Sequence, residues 1–309
     1  MPSIATADGL RGQLVSLLQQ AFGSQAVLAS YRVDKRLHDY AVVFARMHSP
    51  RIDLIIKLAG PHSARDCRFE QTARLHEVVR QQTCVPVAEI LAVDVSYRVF
   101  PWRYLIARHI RGHLWAEMRS GWTAEALADA QFQLGEAVGQ LHTIGFPNFG
   151  VVGTEGEICW MPALAQRAGQ FIRGERSREL FLTVLEQQTQ LFVNVRQPEL
   201  CHEDLHAYNI LFQPRQDRWQ LAAILDFDKS WAGHTESDLA RLELWRGMTG
   251  NAFWQAYRSV RTVDQAYEQR RALYQLFWCL EYASPSPDHL ADTRRVCETL
   301  GLPPVERFD

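Results

Sequence analysis

The chain of 309 residues is long enough for two domains, and its 47% hydrophobic residues provide ample material for their cores. Its formal net charge is −2, no apolar run reaches the length of a membrane span, and no concentrated basic patch is present, which argues against membrane and nucleic-acid partners. The N-terminus lacks a basic region followed by an apolar one, and the six scattered cysteines form no Cys-x-x-Cys pair. We therefore expect a cytoplasmic protein with reduced cysteines.

Charge is unevenly distributed along the chain. Residues 1–109 hold fourteen Lys or Arg against nine Asp or Glu, whereas residues 110–309 hold nineteen against twenty-six. A basic first part and an acidic second part would suit a bound nucleotide and a cationic co-substrate, although solvated faces also differ in charge by chance.

The first part, residues 1–110, predicts a small sheet with one main helix. The apolar spacing from Leu10 to Phe22 is helical and ends at Gly23. Three strands, a helix and two further strands are then predicted at 26–33, 40–46, 52–58, 63–82, 90–95 and 104–110. The loop between the first two strands, 33–40, contains no glycine.

Lys57 lies inside an apolar strand of a chain that has three lysines and thirty arginines. A compact ammonium suits a tight site that contains both a phosphate and a carboxylate, so we interpret Lys57 as a phosphate ligand; the alternative is an edge-strand lysine that points to water. Its carboxylate partner is expected on the next helix. Glu70 is favoured over Glu77, which lies two turns further on, and either could instead be a solvated helix position.

The second part, residues 111–309, predicts a mostly helical lobe. A long helix is expected from Trp122 to His142, with Thr123 at its start. Aromatic residues recur in the C-terminal third, with Glu243 and Glu281 among them. Aromatic faces and carboxylates together suit an amino sugar or a quaternary amine, so both glutamates are candidate substrate ligands, although most of the aromatic side chains are expected to fill the core.

The segment from His202 to Asp226 is the most informative one. It reads His-x-Asp, four residues and Asn, then two short apolar strands around a polar turn at 214–217, then a second acid. Phosphoryl transfer requires a carboxylate beside the attacking hydroxyl and oxygen ligands for Mg²⁺. A tight hairpin would return Asp226 to the end of the loop where Asn209 lies. We therefore expect Asp204, Asn209 and Asp226 to converge on one point.

Taken together, these segments resemble the aminoglycoside phosphotransferase family and its relatives, the choline, homoserine and macrolide kinases. The resemblance covers nearly the whole chain and rests on the segments Ile56-Lys57, Arg68-Phe69-Glu70, Val85-Pro86-Val87, Tyr104 to Gly112, His202-x-Asp204-x₄-Asn209, Ile224-Leu225-Asp226 and Ser237-Asp238-Leu239-Ala240. It implies an α+β, protein-kinase-like bilobal fold with a five-stranded antiparallel N-terminal sheet and a mostly helical C-terminal lobe.

The resemblance also implies an activity: transfer of the γ-phosphate of ATP or GTP to an alcohol group of a small acceptor, such as an aminoglycoside or an amino-sugar-like metabolite. Asp204 would orient or deprotonate the acceptor hydroxyl, and Asn209 and Asp226 would bind Mg²⁺. Lys57, held by Glu70, would contact the phosphates. The purine edge would meet the backbone of Arg108, His109 and Ile110.

Two positions depart from the family pattern. Without a glycine in the loop 33–40, either Lys35 and Arg36 contact phosphate through their side chains, or the loop stands away from the nucleotide. Glu203 occupies the position between His and Asp where the family commonly has a small residue; its carboxylate could raise the pKa of Asp204 by repulsion or face solvent. Asp228 adds a third acid near the metal-binding Asp226; the alternative is that it is only a turn residue.

Two other function classes stay open. A metal-dependent hydrolase could use His202, Asp204 and His206 as zinc or iron ligands, but it would need further ligands and would leave Asn209 and Asp226 unexplained. A catalytically silent nucleotide-binding protein of kinase-like fold is the other alternative. Such proteins usually lose the base, the lysine or the metal-binding acid, and all three are present here.

Overall fold

The computed structural model describes residues 7–63, 67–98, 100–282, 285–305 and 308. These residues form two compact units. The first contains the described residues within Met1–Gln82, Pro86–Gly112 and Ala222–Asp228. The second contains those within Thr83–Val85, His113–Leu221 and Lys229–Asp309. Each unit therefore includes a short segment from the other's main stretch of chain.

The first unit is built on a five-stranded antiparallel sheet with the strand order β1-β2-β3-β5-β4. Its elements are α1 (Ala7–Phe22), β1 (Val27–Leu37), β2 (Tyr40–Ser49), β3 (Ile52–Ala59), α2 (Phe69–Gln82), β4 (Ile90–Asp94) and β5 (Arg103–Arg108). The expected succession of three strands, a helix and two strands is confirmed.

The alternation of side chains along β3 places Lys57. Leu54, Ile56 and Leu58 are fully buried in the core that α1 covers. Because successive side chains of a strand point to opposite faces, Lys57 lies on the other face, together with its register partner Leu105. Phe69 of α2 packs on this second face. An apolar strand therefore presents one ammonium group on the side of the sheet that α2 covers.

The connection between β1 and β2 is a tight hairpin. Only His38 and Asp39 separate the two strands, so the expectation of a loop over 33–40 is wrong. Asp39 has a φ of 52°, in the left-handed region that aspartate tolerates better than most residues. Its Oδ2 accepts the N–H of His62 at 2.7 Å, and a Cβ at Gly60 would lie 2.0 Å from its Oδ1. The glycine that this turn requires lies at position 60, after β3.

The second unit is mainly helical. Its helices are α3 (Trp115–Met118), α4 (Ala124–Leu141), α5 (Trp160–Phe171), α6 (Glu175–Gln187), α7 (Glu236–Leu244), α8 (Asn251–Val260), α9 (Tyr267–Leu280) and α10 (Pro287–Thr299). Its strands are β6 (His113–Leu114), β7 (Glu199–Cys201), β8 (Ile210–Arg215), β9 (Arg218–Ile224, which continues into the first unit from Ala222) and β10 (Trp231–Gly233). Strand β10 pairs with β7, and the others follow the order β6-β8-β9.

Two local predictions in this unit are confirmed. Helix α4 begins after Thr123, whose Oγ1 accepts the N–H of Ala126 at 3.1 Å and so satisfies one free donor of the first turn. Strands β8 and β9 form the expected hairpin, with Gln216 at its turn in the left-handed region, φ 55°. Among the described residues, no helix combines the length and the hydropathy that crossing a membrane requires. All six cysteines are free.

Candidate active site

Lys57 is the centre of a charge cluster in the first unit. Its Nζ lies 2.6 Å from Oδ1 of Asp226 and 2.7 Å from Oδ2 of Asp228. Glu70, the predicted partner, is exposed in the first turn of α2. The prediction that Glu70 holds Lys57 is therefore wrong: two aspartates from the segment after β9 hold the ammonium.

Asp228 links this lysine to α2. Its Oδ1 accepts the hydroxyl of Thr72 at 3.1 Å while its Oδ2 contacts Lys57. Burial alone would lower the pKa of Lys57, but the charges of Asp228 and Asp226 raise it above the ordinary lysine value, so the ammonium stays charged. Burial also raises the pKa of Asp228, against the attraction of Lys57. Asp228 thus takes the anchoring role expected of Glu70, and it is more than a turn residue.

The end of β5 carries the backbone groups expected to meet a purine. The N–H of Arg108 donates to the carbonyl of Glu89 at 2.8 Å, and the N–H of His109 donates to the carbonyl of Asp53 at 2.9 Å. In the described part of the chain, the N–H of Ile110 has no backbone acceptor. Of the three amides in this segment, that of Ile110 is available to a ligand.

In the second unit, the loop that carries Asp204 is fixed by buried hydrogen bonds. The N–H groups of His202 and Glu203 donate to the two carboxylate oxygens of Asp238, at 2.6 and 2.7 Å. Asp238 is fully buried at the start of α7 and contacts Nε2 of His142 at 3.2 Å. The N–H of Asp204 in turn donates to Nδ1 of His202 at 3.2 Å. His202 therefore supports the loop.

The loop also orients Asn209. Its amide nitrogen donates to the carbonyl of Asp204 at 2.9 Å and lies 3.4 Å from Oδ2 of the same residue. This leaves its Oδ1 as the atom that can bind a cation. A carboxylate and an amide oxygen are the hard ligands that Mg²⁺ prefers, usually together with several waters. Asp226 belongs to the first unit, so the convergence of all three oxygen ligands stays a prediction.

Two cations hold the carboxylate of Asp204. Its Oδ1 lies 3.0 Å from Nη2 of Arg241 and 3.3 Å from Nζ of Lys229. Glu281 bridges the same two cations, 2.6 Å from Lys229 and 3.4 Å from Arg241. Burial would raise the pKa of Asp204, but the ring of His206, 3.7 Å from its Oδ2, and the charges of Arg241 and Lys229 hold it well below its usual range. Asp204 is therefore ionised at any physiological pH.

Glu203 is buried, so the alternative that it faces solvent is wrong, and the pKa of Asp204 is lowered, not raised as the other alternative expected. Glu203 is fully buried with a φ of 65°, and its Oε1 accepts the indole N–H of Trp231 at 2.8 Å and the hydroxyl of Ser237 at 2.9 Å. Nη2 of Arg167 lies 3.3 Å from its Oε2. The same guanidinium lies over the Trp231 ring, 4.3 Å from its centroid, and donates to the carbonyl of Lys229 at 3.0 Å.

Of the two candidate substrate ligands, the structure brings only Glu281 to the Asp204 cluster. Glu243 contacts the hydroxyl of Tyr267 at 3.0 Å and Nε of Arg271 at 3.6 Å instead. Both carboxylates are therefore already paired within the protein.

A cavity of about 530 Å³ lies beside Arg241. Its lining residues are Arg119, Arg241, Leu244, Trp245, Arg246, Trp278, Cys279, Tyr282, Pro285, Ser286, Asp288, His289 and Asp292. Asp288 and Asp292 stand one turn apart on α10, a spacing that would have marked them in the sequence as a pair on one helix face.

The described residues give the metal-hydrolase alternative no ligand set. No group of three or more His, Cys, Asp or Glu side chains in this part of the chain could hold a metal ion. The ring nitrogens of His142 contact the Tyr257 hydroxyl and Asp238, at 2.9 and 3.2 Å. Those of His206 contact the N–H of Tyr208 and the amide of Asn209, at 3.1 and 3.2 Å.

Residues 37–273 match the family model described as the phosphotransferase enzyme family, APH. The chain belongs to this family. No curated protein sequence matches it. This match confirms the predicted resemblance to the aminoglycoside phosphotransferase family and its kinase relatives.

Several solved structures are similar to this phosphotransferase-family chain. A putative aminoglycoside phosphotransferase from Ralstonia eutropha JMP134 has a TM-score of 0.66 at 15% identity, covering 94% of this chain and 95% of that one. APH(2″) in complex with GDP and kanamycin has a TM-score of 0.57 at 14% identity, covering 93% of this chain and 97% of that one. An ethanolamine kinase from Plasmodium vivax has a TM-score of 0.56 at 12% identity, covering 89% of this chain and 82% of that one. At these identities the likeness shows the fold, and the expected protein-kinase-like α+β fold is confirmed.

Proposed function

We propose that the protein transfers the γ-phosphate of ATP or GTP to a hydroxyl group of a small molecule. The observation that carries this proposal is the state of Asp204. It is an ionised carboxylate in a His-x-Asp-x₄-Asn loop, fixed by Asp238 and held by two cations, in a chain of the phosphotransferase family.

The position of Asp204 defines its role in this proposal. Its carboxylate accepts a hydrogen bond from the acceptor hydroxyl and aims the oxygen at the γ-phosphorus. Because its pKa is low, Asp204 is a weak base, and it takes the proton only as the new oxygen–phosphorus bond forms. Lys57 contacts the phosphates, and the N–H of Ile110 meets the purine. Asn209 and Asp226 would hold Mg²⁺, which would supply charge neutralisation at the phosphates.

We further propose that the acceptor is cationic, like an aminoglycoside or an amino-sugar metabolite. Glu243 and Glu281 are paired internally, and Asp292 contacts Nη2 of Arg295 at 3.0 Å, so the carboxylate that supports this proposal is Asp288 in the cavity beside Arg241. The ring of Trp245 lines the same cavity and offers a face for a cation or a sugar. The dependence on nucleoside triphosphates and the free cysteines support a cytoplasmic location.

The test is a thermal-shift and nucleotide-consumption screen with Mg-ATP and Mg-GTP in parallel. The acceptors are aminoglycosides, choline-type amines, macrolides and amino-sugar metabolites, and Asp204→Asn serves as the matched inactive control. A ligand of the folded state raises the melting temperature by mass action, and a true acceptor also accelerates nucleoside diphosphate release. Hits that are all anionic or apolar would refute the cationic acceptor alone. A protein hydroxyl as sole acceptor would refute the small-molecule assignment, and a complete lack of phosphotransfer would refute the proposed function.

A further inference from the structure

We propose that Lys229 is a second catalytic residue of this reaction, whose ammonium contacts the phosphoryl group as it reaches the acceptor oxygen beside Asp204. This inference rests on the proposed function. It concerns a residue that the sequence motifs do not mark and that lies three positions after Asp226.

Lysine usage is the first argument. The chain contains three lysines, Lys35, Lys57 and Lys229, against thirty arginines. Where a buried carboxylate needs a structural partner, the chain uses arginine: Arg167 faces Glu203 and Arg270 faces Glu236. Lys57 and Lys229 instead form ion pairs with the aspartates of the catalytic segments, Lys57 with Asp226 and Lys229 with Asp204. The lysine at position 229 therefore differs from the arginines that form the buried structural ion pairs of this chain.

The division of labour between the two cations on Asp204 is the second argument. Arg241 has a side chain only 2% exposed, lies over the Trp278 ring at 4.1 Å, and contacts Glu281 and the hydroxyl of Tyr282 as well. It is locked in place. Lys229 has a side chain 31% exposed and stands further from Oδ1 of Asp204, at 3.3 Å against 3.0 Å. The lysine is the cation that a substrate can reach.

The donor count of the ammonium gives the third argument. A lysine ammonium has three N–H donors. In the described part of the chain two of them have acceptors, Oε1 of Glu281 at 2.6 Å and Oδ1 of Asp204 at 3.3 Å. One donor remains for a phosphoryl oxygen. Glu281, which the sequence predicted as a substrate ligand, instead holds the Lys229 ammonium in place.

The backbone around Lys229 is fixed to the catalytic loop. Its carbonyl accepts Nη2 of Arg167 at 3.0 Å, and the next residue, Ser230, donates its hydroxyl to the carbonyl of His202 at 3.0 Å. The lysine side chain thus starts from a rigid point beside the loop that holds Asp204. A rigidly placed cation costs little reorganisation when charge develops during the reaction.

The chemistry balances without a further reactant. The bond between the acceptor oxygen and the γ-phosphorus forms, and the bond from the γ-phosphorus to the β,γ-bridging oxygen breaks. The electron pair leaves with the nucleoside diphosphate, and the acceptor proton passes to the carboxylate of Asp204. Lys229 stays an ammonium throughout: burial would lower its pKa, but Glu281 and Asp204 raise it. As Asp204 accepts the proton, its attraction for Lys229 weakens and the ammonium is freed for the transferred phosphoryl group.

Turnover of Mg-ATP with water as the acceptor tests this role before the true acceptor is known. We expect Lys229→Met to lower kcat about 100- to 1,000-fold, the usual loss for one preorganised charge, and to leave the KM for Mg-ATP within about threefold. Lys229→Arg restores the charge and should recover part of kcat. Arg176→Met, which removes an exposed cation from α6, is the matched control and should behave as wild type.

Nuclear magnetic resonance supplies a readout that needs no turnover. Lysine labelled with ¹³C at Cε gives one signal for each of three lysines, and Lys229→Arg assigns one of them by its loss. The Lys229 signal should shift when Mg²⁺ and a β,γ-imido analogue of ATP are added. An active wild type with unchanged kcat in Lys229→Met, or no shift of the Lys229 signal at saturation, would overturn the inference and leave the proposed function intact. A folded wild type without any phosphotransfer would overturn both.

Discussion

Arg167 and Glu203, the residue that precedes Asp204, form a buried ion pair, and we predict that Arg167→Met is strongly destabilising. Neither side chain is appreciably exposed, and Glu203 also lies beside the buried carboxylate of Asp238. Removing one partner of such a pair costs about 3–5 kcal/mol, because it leaves an uncompensated buried charge. The lost hydrogen bond to the carbonyl of Lys229 adds about 1 kcal/mol. We therefore expect a loss of about 4–6 kcal/mol in the free energy of unfolding.

A double-mutant cycle tests the cause of this loss. Glu203→Gln keeps an oxygen that accepts from Trp231 and Ser237, and in the double variant with Arg167→Met no buried charge is left unpaired. The double variant should therefore lose at least about 2 kcal/mol less than the sum of the single variants. Urea unfolding at pH 7, followed by tryptophan fluorescence, measures each loss, with Arg176→Met as the exposed control that should stay within about 0.5 kcal/mol of wild type. A loss below about 1 kcal/mol in Arg167→Met, or strict additivity in the cycle, would refute the reasoning.

Three further outcomes follow from the same geometry. Asp204→Ala should lower turnover about 100- to 10,000-fold and leave nucleotide binding near normal, whereas Asp226→Ala should also weaken the binding of Mg-nucleotide. Turnover is measured by steady-state kinetics and binding by calorimetry. Equal, mild losses in both variants would show that the roles of this loop are misassigned. Excess chelator should abolish phosphotransfer, and restored Mg²⁺ should recover it; full activity with chelator contradicts the metal assignment. Burial raises the folded-state pKa of Glu203, against the charge of Arg167, so its contribution to stability is present below about pH 4.3 and is lost as the pH rises through the raised pKa. Glu203→Gln should therefore gain stability relative to wild type as the pH rises from about 4, and a parallel pH dependence of the two unfolding curves would contradict this.

The order of elements could be predicted because it depends on local patterns. The alternation of apolar residues in β3 and the cap at Thr123 are short-range signals, and both elements form where these signals place them. The β1–β2 turn could not be predicted. The left-handed conformation of Asp39 depends on close packing against Gly60, which is 21 positions away in the sequence and carries no local mark of this contact.

The partners of the charged groups were the least predictable part of the site. The spacing of Glu70 on α2 fits a partner of Lys57, but the lysine pairs with Asp226 and Asp228, 169 and 171 residues away. Similarly, nothing in the sequence distinguishes a free carboxylate from one such as Glu281, which is already paired with arginine and lysine. The scarcity of lysine did carry a signal for Lys229, because it applies there as strongly as it does to Lys57.

The low pKa of Asp204 limits its strength as a base in the proposed phosphoryl transfer. In the proposed reaction, a carboxylate held by Arg241 and Lys229 would gain little by abstracting a proton early, so general base catalysis would contribute a small part of the rate enhancement. Phosphoryl transfer depends chiefly on positioning and on stabilisation of charge. The buried hydrogen bonds from His202 and Glu203 to Asp238 fix the loop that carries Asp204. Glu203 and Asp226 adopt left-handed backbone conformations, φ 65° and 66°, which cost free energy in residues other than glycine. Such conformations persist only where the surroundings over-determine them; for Glu203 the buried contacts with Asp238, Arg167 and Trp231 do so.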